Sequence, residues 1–162
     1  MITVDTNVVV RWIVQDDAEQ SAAASRLFDR AVLDGARLHV PVVVVVETAW
    51  VLARFYGFTR RQIFDALSAL VTAEELHLEH TAAIVDALAA YRDGRGDFAD
   101  YLIRTWAQSR GALPVATFDR KLLGDDSFVH PDPGAWPDGT SLREEPPRYG
   151  RGRRRVSSPT RA

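Results

Sequence analysis

The sequence predicts an α/β fold: a single domain with a central parallel sheet of four to five strands flanked by helices on both faces. Three observations carry that prediction. Short segments rich in β-branched residues alternate along the chain with longer segments whose apolar residues recur at helical spacing, which is the pattern of β-α-β units. Helix-start signals punctuate the chain, most clearly the capping box Thr59-Arg60-Arg61-Gln62. No segment repeats another.

The elements follow in order. Ile2-Thr3-Val4 reads as a short buried strand that runs directly into Asp5. Ala24, Leu27 and Ala31 lie at helical spacing in a segment from about Ala18 to Val32, which ends near Asp34-Gly35. Arg37 to Pro41 is the second strand. The valine run that follows is ambiguous, because β-branched residues favour strands. From Val42 to Phe55, however, the chain stays apolar for longer than most strands and contains no turn signal, so a helix is expected to start at about Val42; a proline tolerates that junction. A helix runs from the Thr59 cap to about Val71, and Leu76-His77-Leu78 is a third strand. Thr81 is expected to cap a helix that stops near Gly94. Asp97 to Arg110 is amphipathic, with Phe98, Leu102 and Trp106 at i, i+4 and i+8. Leu113 to Phe118 is a fourth strand, and Phe128-Val129 begins a fifth.

Composition narrows the function. With 162 residues, 46% hydrophobic and 26% charged, the chain has the make-up of one globular domain. It contains no cysteine, which excludes disulfides, thiolate metal sites and cysteine nucleophiles. Its opening lacks the basic n-region of a signal peptide, and no apolar run approaches the roughly 18 residues of a bilayer span, so a cytoplasmic protein without a membrane segment is expected. Residues 1–130 carry 13 Lys+Arg against 18 Asp+Glu, a balance of −5, whereas residues 131–162 carry 7 Arg against 4 Asp+Glu, a balance of +3. The latter segment holds six of the eight prolines and almost no aliphatic side chains, so it is expected to be a disordered tail beyond a folded domain of residues 1–130. Its GRGRRR run suits RNA phosphates or an acidic partner, and equally a solvating role.

Four carboxylates have unusual settings. Asp5 ends the first strand and Asp119 follows the fourth, which places both at the carboxyl edge where open α/β sheets bind ligands. Glu47 lies behind five consecutive valines, in the second turn of the helix after the second strand, and a buried position there is expected. Asp100 occupies the first turn of its helix in Asp97-Phe98-Ala99-Asp100. Four acids at one edge repel one another, and a divalent cation relieves the repulsion; an all-oxygen set without Cys or paired His suits Mg²⁺ or Mn²⁺. Each acid also admits a structural role. Asp5 and Asp97 fit helix N-caps, Asp100 favours a helix dipole, Asp119 suits a turn, and Glu47 could pair with Arg11 or Arg54. Competing signatures are absent: there is no nucleophile elbow, P-loop or dinucleotide fingerprint, and His77 with His80 lacks further ligands.

Val4-Asp5-Thr6-Asn7, Glu47 in an apolar helix, Asp97-Phe98-Ala99-Asp100 and Thr117-Phe118-Asp119 together resemble the PIN domain, and more narrowly the VapC-type toxin ribonucleases of toxin–antitoxin pairs. The resemblance spans residues 1 to about 130. It implies a compact α/β fold and metal-dependent endonucleolytic cleavage of RNA, with Asp5, Glu47 and Asp100 as the three core acids and Asp119 as a more variable fourth. It implies auxiliary polar roles for Thr6 and Thr117, an open role for Asp97, a homodimer, and neutralisation by a cognate antitoxin protein. Two rival readings remain at this level. A phosphatase with Asp5 as nucleophile would want a second Asp at position 7, which is Asn7. A non-catalytic RNA- or partner-binding domain would be expected to lack a core acid, and none is missing.

Overall fold

The computed structural model describes residues 1–136. The expected disordered tail therefore lies outside the described residues from position 137 onward; its first residues include a 3-10 turn at Pro133–Ala135.

Three parallel strands form the main sheet in the order β1-β2-β3: β1 Ile2–Thr3, β2 Leu38–Val40 and β3 Leu76–Leu78. Registers pair Thr3 with His39, and His39 with His77. Around the sheet lie α1 Thr6–Val14, α2 Ala18–Leu33, α3 Val42–Arg54, α4 Arg60–Thr72, α5 Thr81–Asp93 and α6 Phe98–Ser109. The last strands, β4 Val115–Ala116 and β5 Phe128–Val129, pair in parallel with each other. The α/β class and parallel pairing match the sequence prediction, but among the described residues the main sheet has three strands in place of four to five. The β4 segment is two residues long, and the amides of Val115 and Thr117 are both taken by β5-side carbonyls, those of Ser127 and Val129. What was expected as one sheet is thus three strands plus a separate pair.

Local chemistry explains the helix starts that position the site. Asp5 is the N-cap of α1, its Oδ1 accepting from Val8 N at 3.0 Å. Helix α3 begins at Val42, directly after β2 and Pro41, which offers no side chain for capping. Glu79, just beyond β3, supplies the missing acceptor: its Oε2 takes the Val42 amide at 3.0 Å, tying the start of α3 to the end of the neighbouring strand. The Thr59–Gln62 capping box starts α4 as predicted. Thr81 is not the cap of α5. His80 occupies the N-cap in a left-handed conformation, and the Thr81 hydroxyl donates back to Leu78 O at 2.7 Å.

The core is continuous across the helices and strands, with Val9, Val40, Val45, Leu52, Leu67, Leu70 and Ile84 fully excluded from solvent. Within α3 the valines divide by helical phase. Val44, Val45, Thr48, Ala49 and Leu52 face the core, while Val43, Glu47 and Trp50 form the opposite, exposed stripe. The expectation that Glu47 is buried is therefore corrected: an apolar run long enough to make a helix covers both faces, and position 47 falls on the outer one.

Candidate active site

Contacts link Thr6 to Glu47 and Asp97 to Asp100, Glu47 and Asp97 line one cavity, and Asp119 acts electrostatically on Asp100. Next to Asp5, the buried Thr6 hydroxyl donates to Glu47 Oε2 at 2.5 Å, which fastens α1 to α3. Glu47 and Asp97 both line a cavity of about 280 Å³ whose walls are otherwise largely apolar, among them Val43, Trp50 and Phe98. The Asp97 amide donates to Asp100 Oδ2 at 2.7 Å across the first turn of α6. Asp100 in turn lies within electrostatic reach of Asp97 and Asp119. After β4, the Thr117 hydroxyl accepts from the Asp119 amide at 3.0 Å, and Asp119 Oδ1 accepts from Lys121 N at 2.9 Å.

The α5–α6 connection brings backbone unusually close to a carboxylate. Tyr101 Oη accepts from the amides of Arg95 and Gly96, at 2.8 and 3.2 Å. A Cβ on Gly96 would collide with Leu122 and stand 2.9 Å from Asp100 Oδ2, so only glycine lets the loop pass beneath this acid. Partial burial, followed by the charges of Asp97 and Asp119, raises the Asp100 pKa above the ordinary carboxylate value, against the pull of the Asp97 amide and Lys121.

One feature is common to the four acids singled out by sequence. Each has one carboxylate oxygen held by a donor: Asp5 Oδ1 by Val8 N, Glu47 Oε2 by the Thr6 hydroxyl, Asp100 Oδ2 by Asp97 N, and Asp119 Oδ1 by Lys121 N. Among the described residues no hydrogen-bond donor reaches the second oxygen of any of them. The structural roles weighed from sequence for Asp5 and Asp119 are real, then, and they occupy only half of each carboxylate. The alternative ion pair of Glu47 with Arg11 does not form, because Arg11 is engaged by Asp16 at 2.7 Å and by Gln20 and Tyr56.

The family model of the PIN domain matches residues 2–124. The chain belongs to the PIN-domain family. A curated relative, the VapC ribonuclease of Aquifex aeolicus (strain VF5), is 25% identical over 121 residues, covering 75% of this chain and 89% of the relative.

In this PIN domain the donor set fits a hard divalent cation by its chemistry, since it offers carboxylate oxygens and neither sulfur nor a convergent histidine pair. Among the described residues, no group of three or more His, Asp or Glu side chains is arranged to hold an ion. Arg11 and Arg104 are paired with Asp16 and Asp125, while Lys121 acts on the Asp100 charge. Sequence reasoning did not single out Arg60 or Tyr101, although both build the α5–α6 connection. Arg60 reaches its partners across 31 and 36 residues and therefore leaves no local pattern. Among the described residues no helix is long and apolar enough to cross a membrane.

Proposed function

We propose that this PIN domain is a metal-dependent endoribonuclease, the toxin of a VapC-type toxin–antitoxin pair, hydrolysing RNA phosphodiester bonds in the cytoplasm. The observation that supports the reading is the set of half-held carboxylates: Asp5, Glu47, Asp100 and Asp119 each have a donor on one oxygen and, among the described residues, none on the other. Family membership and the similarity to a VapC ribonuclease support it.

Those four residues would hold Mg²⁺ or Mn²⁺. When bound, the cation supplies an activated water nucleophile and a counter-charge for the phosphodiester. The chain's own part is orientation and charge. Thr6 fixes the Glu47 rotamer, the Asp97 amide fixes that of Asp100, and Thr117 holds the backbone from which Asp119 projects. Lys121 offsets negative charge beside Asp100 and would do the same for a phosphate flanking the cleaved bond. An acidic domain repels a polyanion, so RNA engagement depends on the cation as well as on such basic side chains. A homodimer and a cognate antitoxin that covers the acidic edge complete the reading.

The test is purified wild type against Asp5→Asn on total RNA with and without Mg²⁺, alongside induction in growing cells. Discrete fragments and growth arrest are expected from the wild type alone, and only with the cation in vitro. Equal cleavage by Asp5→Asn, or cleavage indifferent to Mg²⁺ and Mn²⁺, defeats the proposal. Tight RNA binding without turnover by the wild type would establish the non-catalytic reading instead.

A further inference from the structure

We infer that Arg60 is a positioning residue for Asp100, acting through a single peptide group. The Arg60 guanidinium sits half-buried at the first position of α4, with Cζ 4.3 Å from the centre of the Tyr91 ring. Its Nη1 donates to Tyr91 O at 2.6 Å, and its Nη2 donates to Gly96 O at 2.7 Å. The first contact places a cation against the C-terminal end of α5, where helix carbonyls favour it. The second reaches the site. Gly96 C=O and Asp97 N–H belong to one peptide unit, and that N–H is the donor to Asp100 Oδ2 at 2.7 Å. One planar amide therefore has a guanidinium at its oxygen and a carboxylate at its hydrogen.

Two consequences follow from elementary chemistry. Planarity means that fixing the carbonyl direction also fixes the N–H direction, so Arg60 sets where Asp100 Oδ2 is held and hence where its second oxygen faces. Charge at the carbonyl polarises the amide and strengthens its N–H as a donor, in the way hydrogen bonds in series reinforce one another. The preceding peptide is clamped as well, since Tyr101 Oη takes the Arg95 and Gly96 amides, and Tyr91, beneath the guanidinium, packs edge-on against Tyr101. Arg60 thus spans α4, the end of α5 and the entry to α6, although none of its atoms touches an acid of the site. A lysine could supply the charge but not two donors in a fixed fork.

The consequence for activity rests on the proposed nuclease function, whereas the structural statement does not, and the experiment separates them. Wild type, Arg60→Lys, Arg60→Ala and Asp100→Asn are compared by two measurements. In metal-free protein, the Asp97 amide proton is followed by ¹H–¹⁵N NMR. Arg60→Ala is expected to move it in the direction seen for Asp100→Asn, with Arg60→Lys intermediate. In RNA cleavage with Mg²⁺, Arg60→Ala is expected to lower kcat about 10–100-fold, the usual cost of losing a residue that orients a ligand, with KM for RNA unchanged and partial recovery in Arg60→Lys. An Asp97 resonance unmoved in both Arg60 variants overturns the inference, and so does a loss confined to thermal stability with kcat intact. If Arg60→Ala does not fold, Arg60→Lys decides by the same two criteria. If the wild type cleaves no RNA, the nuclease reading fails, and the amide resonance still tests the positioning role.

Discussion

Thr6 and Glu47 are 41 residues apart in sequence and joined by a hydrogen bond of 2.5 Å from the threonine hydroxyl to Oε2. That is the short end of the range for a hydroxyl on a carboxylate. Thr6 is buried, whereas Glu47 lies on the exposed stripe of α3, so the bond ties a surface carboxylate to the core-facing start of α1. Replacing Thr6 with Val should release Glu47 into other rotamers. About a tenfold loss of kcat is expected, with Thr6→Ser close to wild type and melting temperature little changed. Steady-state RNA cleavage and thermal denaturation of the three proteins check this.

The close passage of Gly96 under Asp100 predicts intolerance to a single added carbon. Gly96→Ala should cost about 1–3 kcal/mol of stability, because its Cβ meets Leu122 and the Asp100 carboxylate. Urea denaturation measures the cost. Gly124→Ala serves as the control: a Cβ there meets nothing within 4 Å, and little change is expected.

Asp100 sets a pH dependence with a definite sign. Its pKa in the folded protein is raised, chiefly by burial and then by Asp97 and Asp119, so the native state binds this proton more tightly than the unfolded chain does. Metal-free protein should therefore lose stability as pH rises from the ordinary aspartate pKa to the raised folded value. Asp100→Asn removes that loss. In calorimetry it should melt above the wild type at neutral pH, and the difference should close at acid pH, where Asp100 is protonated. A gap that widens on acidification would contradict the assigned direction. On the proposed reading, Mg²⁺ affinity should increase as Asp100 deprotonates.

Thr48 makes a prediction opposite to the usual one for core substitutions. It is 0% exposed, and among the described residues its hydroxyl has no hydrogen-bond partner. Thr48→Val keeps the shape and removes an unsatisfied buried group, so it should stabilise the domain by about 1 kcal/mol. RNA cleavage should be unaffected, although the residue is adjacent to Glu47.

Signals that depend on neighbours in sequence were legible. The Thr59–Gln62 box, the Pro41–Val42 junction and the strand-to-Asp5 transition all appear where local rules put them. Helix α1 entered the sequence reading only through Asp5 as a candidate N-cap, because Val8, Val9 and Val10 favour strands while the Asp5 cap and packing against α2 and α3 make the segment helical. The division of the sheet and the exposure of Glu47 were hidden for a related reason: pairing partners and helix phase relative to the core are tertiary properties. The acids of the candidate site could be selected by position along the chain. The groups that hold them could not, since Glu79 reaches Val42 across 37 residues and Arg60 reaches Gly96 across 36.

The half-held carboxylates bear on how such a domain can lose its chemistry. The Asp5 oxygen that accepts from Val8 N has a counterpart in the amide oxygen of asparagine, which caps helices about as well as aspartate. An aspartate-to-asparagine change at position 5 therefore removes a negative charge, and on the proposed reading a cation ligand, while leaving the helix start intact. On the proposed reading, inactivation of this kind leaves the fold unchanged, and selection for folding cannot see it. The scaffold can persist with its reactive role erased, whereas alanine at the same position would disturb both.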